Sequence, residues 1–168
     1  MSERIPAGTA GRPAGRSVGN PNDNPNGNHG DAGRRMLQTA TAILAVVPTV
    51  SGLVAMTGVG DPLYALLALP HDATLDSNLR FYAGIWLGLG LAAFWVVPRI
   101  ERETALFRAL WLMIFIGGIG RGLSLFALGL PFLPFVGFTA LEIVGAPLFV
   151  WWQHRVARAA ARRRCPIV

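Results

Sequence analysis

Two ionisable side chains, Arg121 and Glu142, stand inside long apolar runs, where no water is available to solvate a charge. Placing either charge in hydrocarbon costs roughly 3 kcal/mol on insertion scales, so two unpaired charges facing lipid are a poor arrangement. At the α-helical rise, Arg121 lies about 10 Å below Leu128, the end of its run, and Glu142 about 15 Å below Phe132, the start of the next. Their depths differ by one helical turn, which an arginine side chain can cover. The runs are joined by the short turn Gly129-Leu130-Pro131 and are therefore expected to be antiparallel neighbours, with an Arg121 to Glu142 ion pair between them. Arg121 shares a helical face with Gly117, Gly118 and Ser124, and Glu142 shares one with Thr139, Gly145 and Ala146, so both faces read as interior.

A second polar group begins the preceding apolar run: Asn78, Arg80 and Tyr82. Arg80 can snorkel to water. With Arg121, Ser124 and Glu142, the three also define a candidate cluster opening towards the outer leaflet. Two cations and one anion suit an anionic headgroup or substrate. The residues leave two roles open, structural pairing that fixes helix packing or a ligand or proton site, since intramembrane charges serve both ends.

The elements that must position these side chains are membrane helices. The chain has 168 residues, of which 52% are hydrophobic and 14% charged, against roughly 25% charged in soluble domains. Its apolar residues gather into runs at about 37–56, 81–97, 105–128 and 132–152, each long enough for a span of the roughly 30 Å hydrocarbon core. The expected fold is all-α, an integral membrane four-helix bundle over residues 36–156, with a disordered leader at 1–35 and a basic tail at 157–168. The leader is rich in Gly, Pro and Asn, with too little apolar surface to offset the entropy of ordering. Met36 directly precedes the first run and is an alternative start of translation. Arg34-Arg35-Met36-Leu37 also resembles a twin-arginine signal, but the run exceeds a signal-peptide core and no small-x-small cleavage site follows before Asp61, which favours a retained helix.

Arginine placement sets the expected orientation. Arg4, Arg12, Arg16, Arg34 and Arg35 precede the first run, Arg99, Arg102 and Arg108 lie between the second and third, and Arg155, Arg158, Arg162, Arg163 and Arg164 follow the fourth. The segment after the first run holds Asp61, Asp72 and Asp76 without an arginine until Arg80. Both termini are therefore expected in the cytoplasm, with Trp95, Trp151 and Trp152 at the inner interface. The net charge of +6 comes from these flanking clusters without a continuous basic face, which argues against nucleic acid as a partner. Small residues at helical spacing, Gly84 and Gly88 in the second run and Gly117, Gly118 and Gly122 in the third, are expected at helix packing faces.

Several chemistries are disfavoured. No histidine lies within a run, so haem held between intramembrane histidines is not expected, and no cofactor, metal site or nucleophile-base pair is legible. Cys165 is the sole cysteine, which rules out an internal disulfide or a CxxC pair; Cys165-Pro166-Ile167-Val168 has the outline of a prenylation box but reads as an ordinary tail.

Asn78-Leu79-Arg80-Phe81-Tyr82-Ala83-Gly84-Ile85-Trp86-Leu87-Gly88-Leu89-Gly90, followed by Gly118-Ile119-Gly120-Arg121-Gly122-Leu123-Ser124 and Leu141-Glu142, resembles a bacterial family known as domain of unknown function 4345, over about residues 36–156. The resemblance implies a small four-span protein of the cell inner membrane and brings with it no reaction or ligand. The expected function is a non-enzymatic membrane protein whose Arg121 and Glu142 fix helix packing. The alternatives are a small carrier or lipid- or anion-binding protein, or an accessory subunit of a membrane enzyme complex. Expected partners are membrane lipid and either a second copy or another membrane protein.

Overall fold

The computed structural model describes the backbone of residues 25–164 and the side chains of residues 31–162, Leu66 excepted. Residues 1–24 of the leader and Cys165 lie outside the described residues. The described chain is all-helical, and its helices provide four segments long and apolar enough to cross a membrane, Asp31–Ala55, Ala73–Arg99, Thr104–Leu128 and Leu133–Arg162. α1 covers Pro25–Ala55, α2 Ala73–Val96 and α3 Thr104–Leu128; the fourth span consists of α4, Leu133–Ala140, and α5, Ala146–Arg164, joined by a π-helical turn, Leu141–Gly145.

Two boundaries and the regularity of the fourth span differ from the hydropathy reading, each for a physical reason. α1 begins at Pro25, inside the stretch expected to be disordered: once a span is helical, each residue added to its end gains a backbone hydrogen bond without a new nucleation cost. α2 starts at Ala73, well before Phe81, because Asp72 Oδ1 accepts hydrogen bonds from the Thr74 and Leu75 amides at 2.9 Å and caps the helix. The fourth span is not one regular helix. Pro147 has no N–H to offer the Ile143 carbonyl and its ring crowds that carbonyl, and the widened turn lies just ahead of it.

α1 and α2 form the most extensive helix pair, and α3 packs on the fourth span. The first pair meets at glycines: a Cβ on Gly52 would stand 2.7 Å from the Leu87 amide nitrogen, and one on Gly90 would stand 2.7 Å from that of Thr49. In the second pair, Trp111 stacks on Phe149 with ring centroids 4.3 Å apart.

The two pairs join tightly at the end of the bundle that carries the two ends of the described chain, here the terminal end. Leu37, Val96, Ile100, Phe107 and Val156 are buried there and belong to a core cluster that continues to Trp111 and Ala146. Two amides fasten the backbone: Gln38 Nε2 donates to the Val97 carbonyl at 2.9 Å, and the wholly buried Gln153 donates through Nε2 to the Ile100 carbonyl and Thr104 Oγ1, each at 2.9 Å. At the other end, the loop end, the α1–α2 connection folds into 3₁₀ turns at Gly58–Gly60 and Pro62–Leu67, and the pairs separate.

Gln153→Leu removes a side chain that satisfies a buried carbonyl and a hydroxyl. It is expected to cost about 1–3 kcal/mol, read as a lower midpoint of thermal unfolding in detergent micelles, whereas Gln153→Glu does no better because a carboxylate cannot donate to Ile100.

Candidate functional site

Glu142 sits in the π-helical turn and Arg121 in α3, and their side chains meet with Nε to Oε2 at 3.1 Å. The glutamate side chain is nine-tenths buried, and the arginine side chain is more than one-third exposed. Wide helical turns of this kind recur at functional positions because they push a side chain out of the regular register. Here the turn presses Glu142 against α3 at Gly118, where any Cβ would stand 2.7 Å from Glu142 Cβ and 3.2 Å from the Ile143 amide nitrogen. Glycine is what permits the approach.

The pair is an ion pair without a formed hydrogen bond. The Nε–H is not aligned with Oε2, and Oε2 is buried with no hydrogen-bond partner among the described residues. Arg121 packs its guanidinium over the Phe135 ring at 5.2 Å, and its Nη groups make no hydrogen bond to a described residue. Both partners therefore retain hydrogen-bonding capacity.

Both residues line a cavity. Between the helix pairs at the loop end lies a space of about 500 Å³, walled by Ser51 and Ala55 of α1, Leu79, Tyr82 and Trp86 of α2, Ile114, Gly117 and Arg121 of α3, and Phe135 and Glu142 of the fourth span. Asp61, Leu63 and Tyr64 of the α1–α2 connection line it as well. A smaller space of about 90 Å³ shares Ser51, Trp86, Ile114, Arg121 and Glu142 and runs on to Leu44, Pro48 and Trp111. Trp86 is held in this wall by its Nε1, which donates to Ser51 Oγ at 2.8 Å, while Ser51 donates to the Val47 carbonyl at 2.6 Å.

Arg80 takes a different course from the cluster expected of it. Its Nε donates to Asp76 Oδ2 at 2.6 Å, and its Nη groups donate to the Met56 and Thr57 carbonyls at 2.7 and 3.1 Å. It closes the C-terminal end of α1, where carbonyls have no helical partner. Asp76 completes the knot by accepting from the Val59 amide at 3.0 Å, against Gly58, whose φ of +68° and contact with Asp76 leave no room for a Cβ. Of the remaining candidates, Tyr82 joins Arg121 and Glu142 at the cavity, whereas Asn78 and Ser124 are exposed and line neither space.

The five glycines singled out for packing also divide. Gly118 lies at a close approach and Gly122 is in ordinary contact with Ile143 at 3.7 Å. Gly84 has only Met56 Sδ at 4.0 Å, and a Cβ on Gly88 or Gly117 would meet nothing within 4 Å. Gly117 widens the cavity instead. Gly90 and Asp61 are not site candidates on sequence grounds: Gly90 shows no signal beyond being one small residue among many, and Asp61 reads only as one of the acidic residues that set orientation. Among the described residues no three His, Cys, Asp or Glu side chains gather as metal ligands would.

Truncating one member of the pair leaves its partner buried without a counter-charge, while removing both does not. Arg121→Leu and Glu142→Leu are each expected to lower the yield of monodisperse protein on size exclusion, and the double variant to recover most of it. Gly118→Leu is expected to cost about 1–3 kcal/mol by overpacking, seen as a fall in thermal midpoint.

No curated protein and no solved structure matches the chain. A family model does, and its match takes in α2, α3, the π-helical turn and both charged residues of the pair. On that match, over residues 36–153, the chain belongs to the family described as Domain of unknown function (DUF4345).

Proposed function

We propose that the protein is a non-enzymatic, multi-pass binding protein of the bacterial inner membrane, holding an amphiphilic molecule between its two helix pairs with its polar group at Arg121 and Glu142. The observation that carries this reading is the cavity of about 500 Å³ into which both charges open. Its volume lies within the range of small-molecule sites, and its composition, an apolar wall with a few convergent polar groups, is the composition such sites have. Oε2 of Glu142 accepts no hydrogen bond from a described residue.

The pair also serves packing, since it bridges α3 and the fourth span directly beside the close approach at Gly118. Both roles follow from one geometry. Orientation with the termini in the cytoplasm is supported by Arg99, Arg102, Arg155 and Arg158 at the terminal end, against Asp61, Asp72 and Asp76 at the loop end. The cavity then opens towards the outer leaflet. Membrane lipid is the first partner; Phe81, Ile85, Leu91 and Trp95 leave an exposed apolar face on α2 for lipid or for a second membrane-embedded chain, a copy of this one included.

Gly117→Phe tests the cavity with little risk to the fold, because a Cβ there meets nothing. Native mass spectrometry of protein extracted in mild detergent is expected to show a retained lipid or lipid-sized adduct in the parent chain and in Gly88→Phe, a control outside the lining, and to show it lost in Gly117→Phe. Equal retention in all three would refute the reading.

A further inference from the structure

The charge inventory of the cavity is the reverse of the one the sequence suggests. Arg80, the second expected cation, is engaged by Asp76 and the end of α1. Asp61 enters the lining from the α1–α2 connection and is buried, with Oδ1 accepting from the Leu63 amide at 2.9 Å. Among the described lining residues, one cation, Arg121, therefore stands with two carboxylates, Asp61 and Glu142, and is already neutralised by Glu142 at 3.1 Å. A region of low dielectric with surplus negative charge favours a cation.

The rest of the wall points the same way. Tyr64, Tyr82 and Trp86 bring three aromatic side chains to the space in addition to Phe135, which already carries Arg121 on its ring. Aromatic faces attract cations, and a desolvated ammonium among several of them is a recurrent mode of recognition. The Glu142 carboxylate, on a side chain nine-tenths buried, lines the space together with Asp61, and the charge of an ammonium suits the two.

We propose that the group bound in this cavity is an ammonium on an apolar body, placed among Tyr64, Tyr82, Trp86, Asp61 and Glu142. The proposal rests on the binding reading given above and names its ligand class. Two sources share this chemistry: a lipophilic amine, and the ethanolamine or choline headgroup of a zwitterionic phospholipid, whose phosphate would fall to the Nη groups of Arg121, which make no hydrogen bond to a described residue. A simple anionic amphiphile lacks the group that the carboxylates require.

The test uses full-length protein in neutral detergent, titrated separately with phosphatidylethanolamine, phosphatidylglycerol of the same acyl chains, dodecyltrimethylammonium and dodecanoate, with bound species read by native mass spectrometry. Binding of the trimethylammonium probe identifies an amine site as such; binding of phosphatidylethanolamine without it identifies a zwitterionic headgroup. In either case Tyr82→Leu, a change at an exposed residue that spares the fold, and Glu142→Gln are each expected to weaken that probe about tenfold. Preference for phosphatidylglycerol or dodecanoate, or equal affinity for all four probes, overturns the ammonium assignment and leaves the amphiphile-binding reading standing. Absence of any bound probe overturns both.

Discussion

Within hydrocarbon, a carboxylate and a guanidinium are stable only when each answers the other, and the arrangement of this protein around its middle depth follows from that requirement. Arg121 and Glu142 lie on neighbouring antiparallel segments at 3.1 Å, and reaching that distance draws in features that would otherwise look unrelated. Pro147 disrupts the regular ladder of the fourth span and the π-helical turn places Glu142 towards α3. Gly118 has no Cβ and so lets the turn approach. Without either feature, the two charges would stand on helices too far apart or turned away from one another.

The bundle is asymmetric along its length. At the terminal end, apolar burial around Val96, Ile100 and Phe107 is combined with amide bonds from Gln38 and Gln153, which tie α1 and α5 to the backbone between α2 and α3. Interaction there is dense because the connection from α2 to α3 is short and is folded into the core. At the loop end, the longer connection from α1 to α2 is held to its own helix pair by Arg80 and Asp76. It does not pull the two pairs together. The space between them is a consequence of which residues each connection is bound to.

This division groups the helices into two packed pairs. Gly52 and Gly90 bring α1 and α2 into backbone contact as one packed pair. α3 and the fourth span form a second, joined by the ion pair and by the stacking of Trp111 on Phe149. The cavity lies at the seam, the place where helical bundles most often hold small molecules. Its two faces are unequal: α1, α2 and their connection supply Asp61, Tyr64, Tyr82 and Trp86, while the other pair supplies Arg121 and Glu142.

Much of this was legible in the sequence because it depends on properties local to a segment. About twenty predominantly apolar, uncharged residues answer to the thickness of a bilayer whatever surrounds them, and two charges at matched depth on segments joined by a short turn leave little choice but to meet. The four spans and the Arg121–Glu142 pairing belong to that class. What the sequence could not decide was where flexible or small residues would be used. Arg80 stands four residues from Asp76 and a full loop from Met56, and only the folded connection shows that the guanidinium closes α1 and takes no part in a cluster with Arg121. Gly117 and Gly118 are adjacent and chemically identical, yet one meets a neighbouring backbone and the other opens on empty space, because successive residues on a helix point about 100° apart. Asp61 reads as one acidic loop residue among three until the connection folds and brings it to the cavity. Depth, span and pairing are one-dimensional quantities that the chain carries in its order; the sign of the cavity's charge depends on which side chains the tertiary fold brings to the same space.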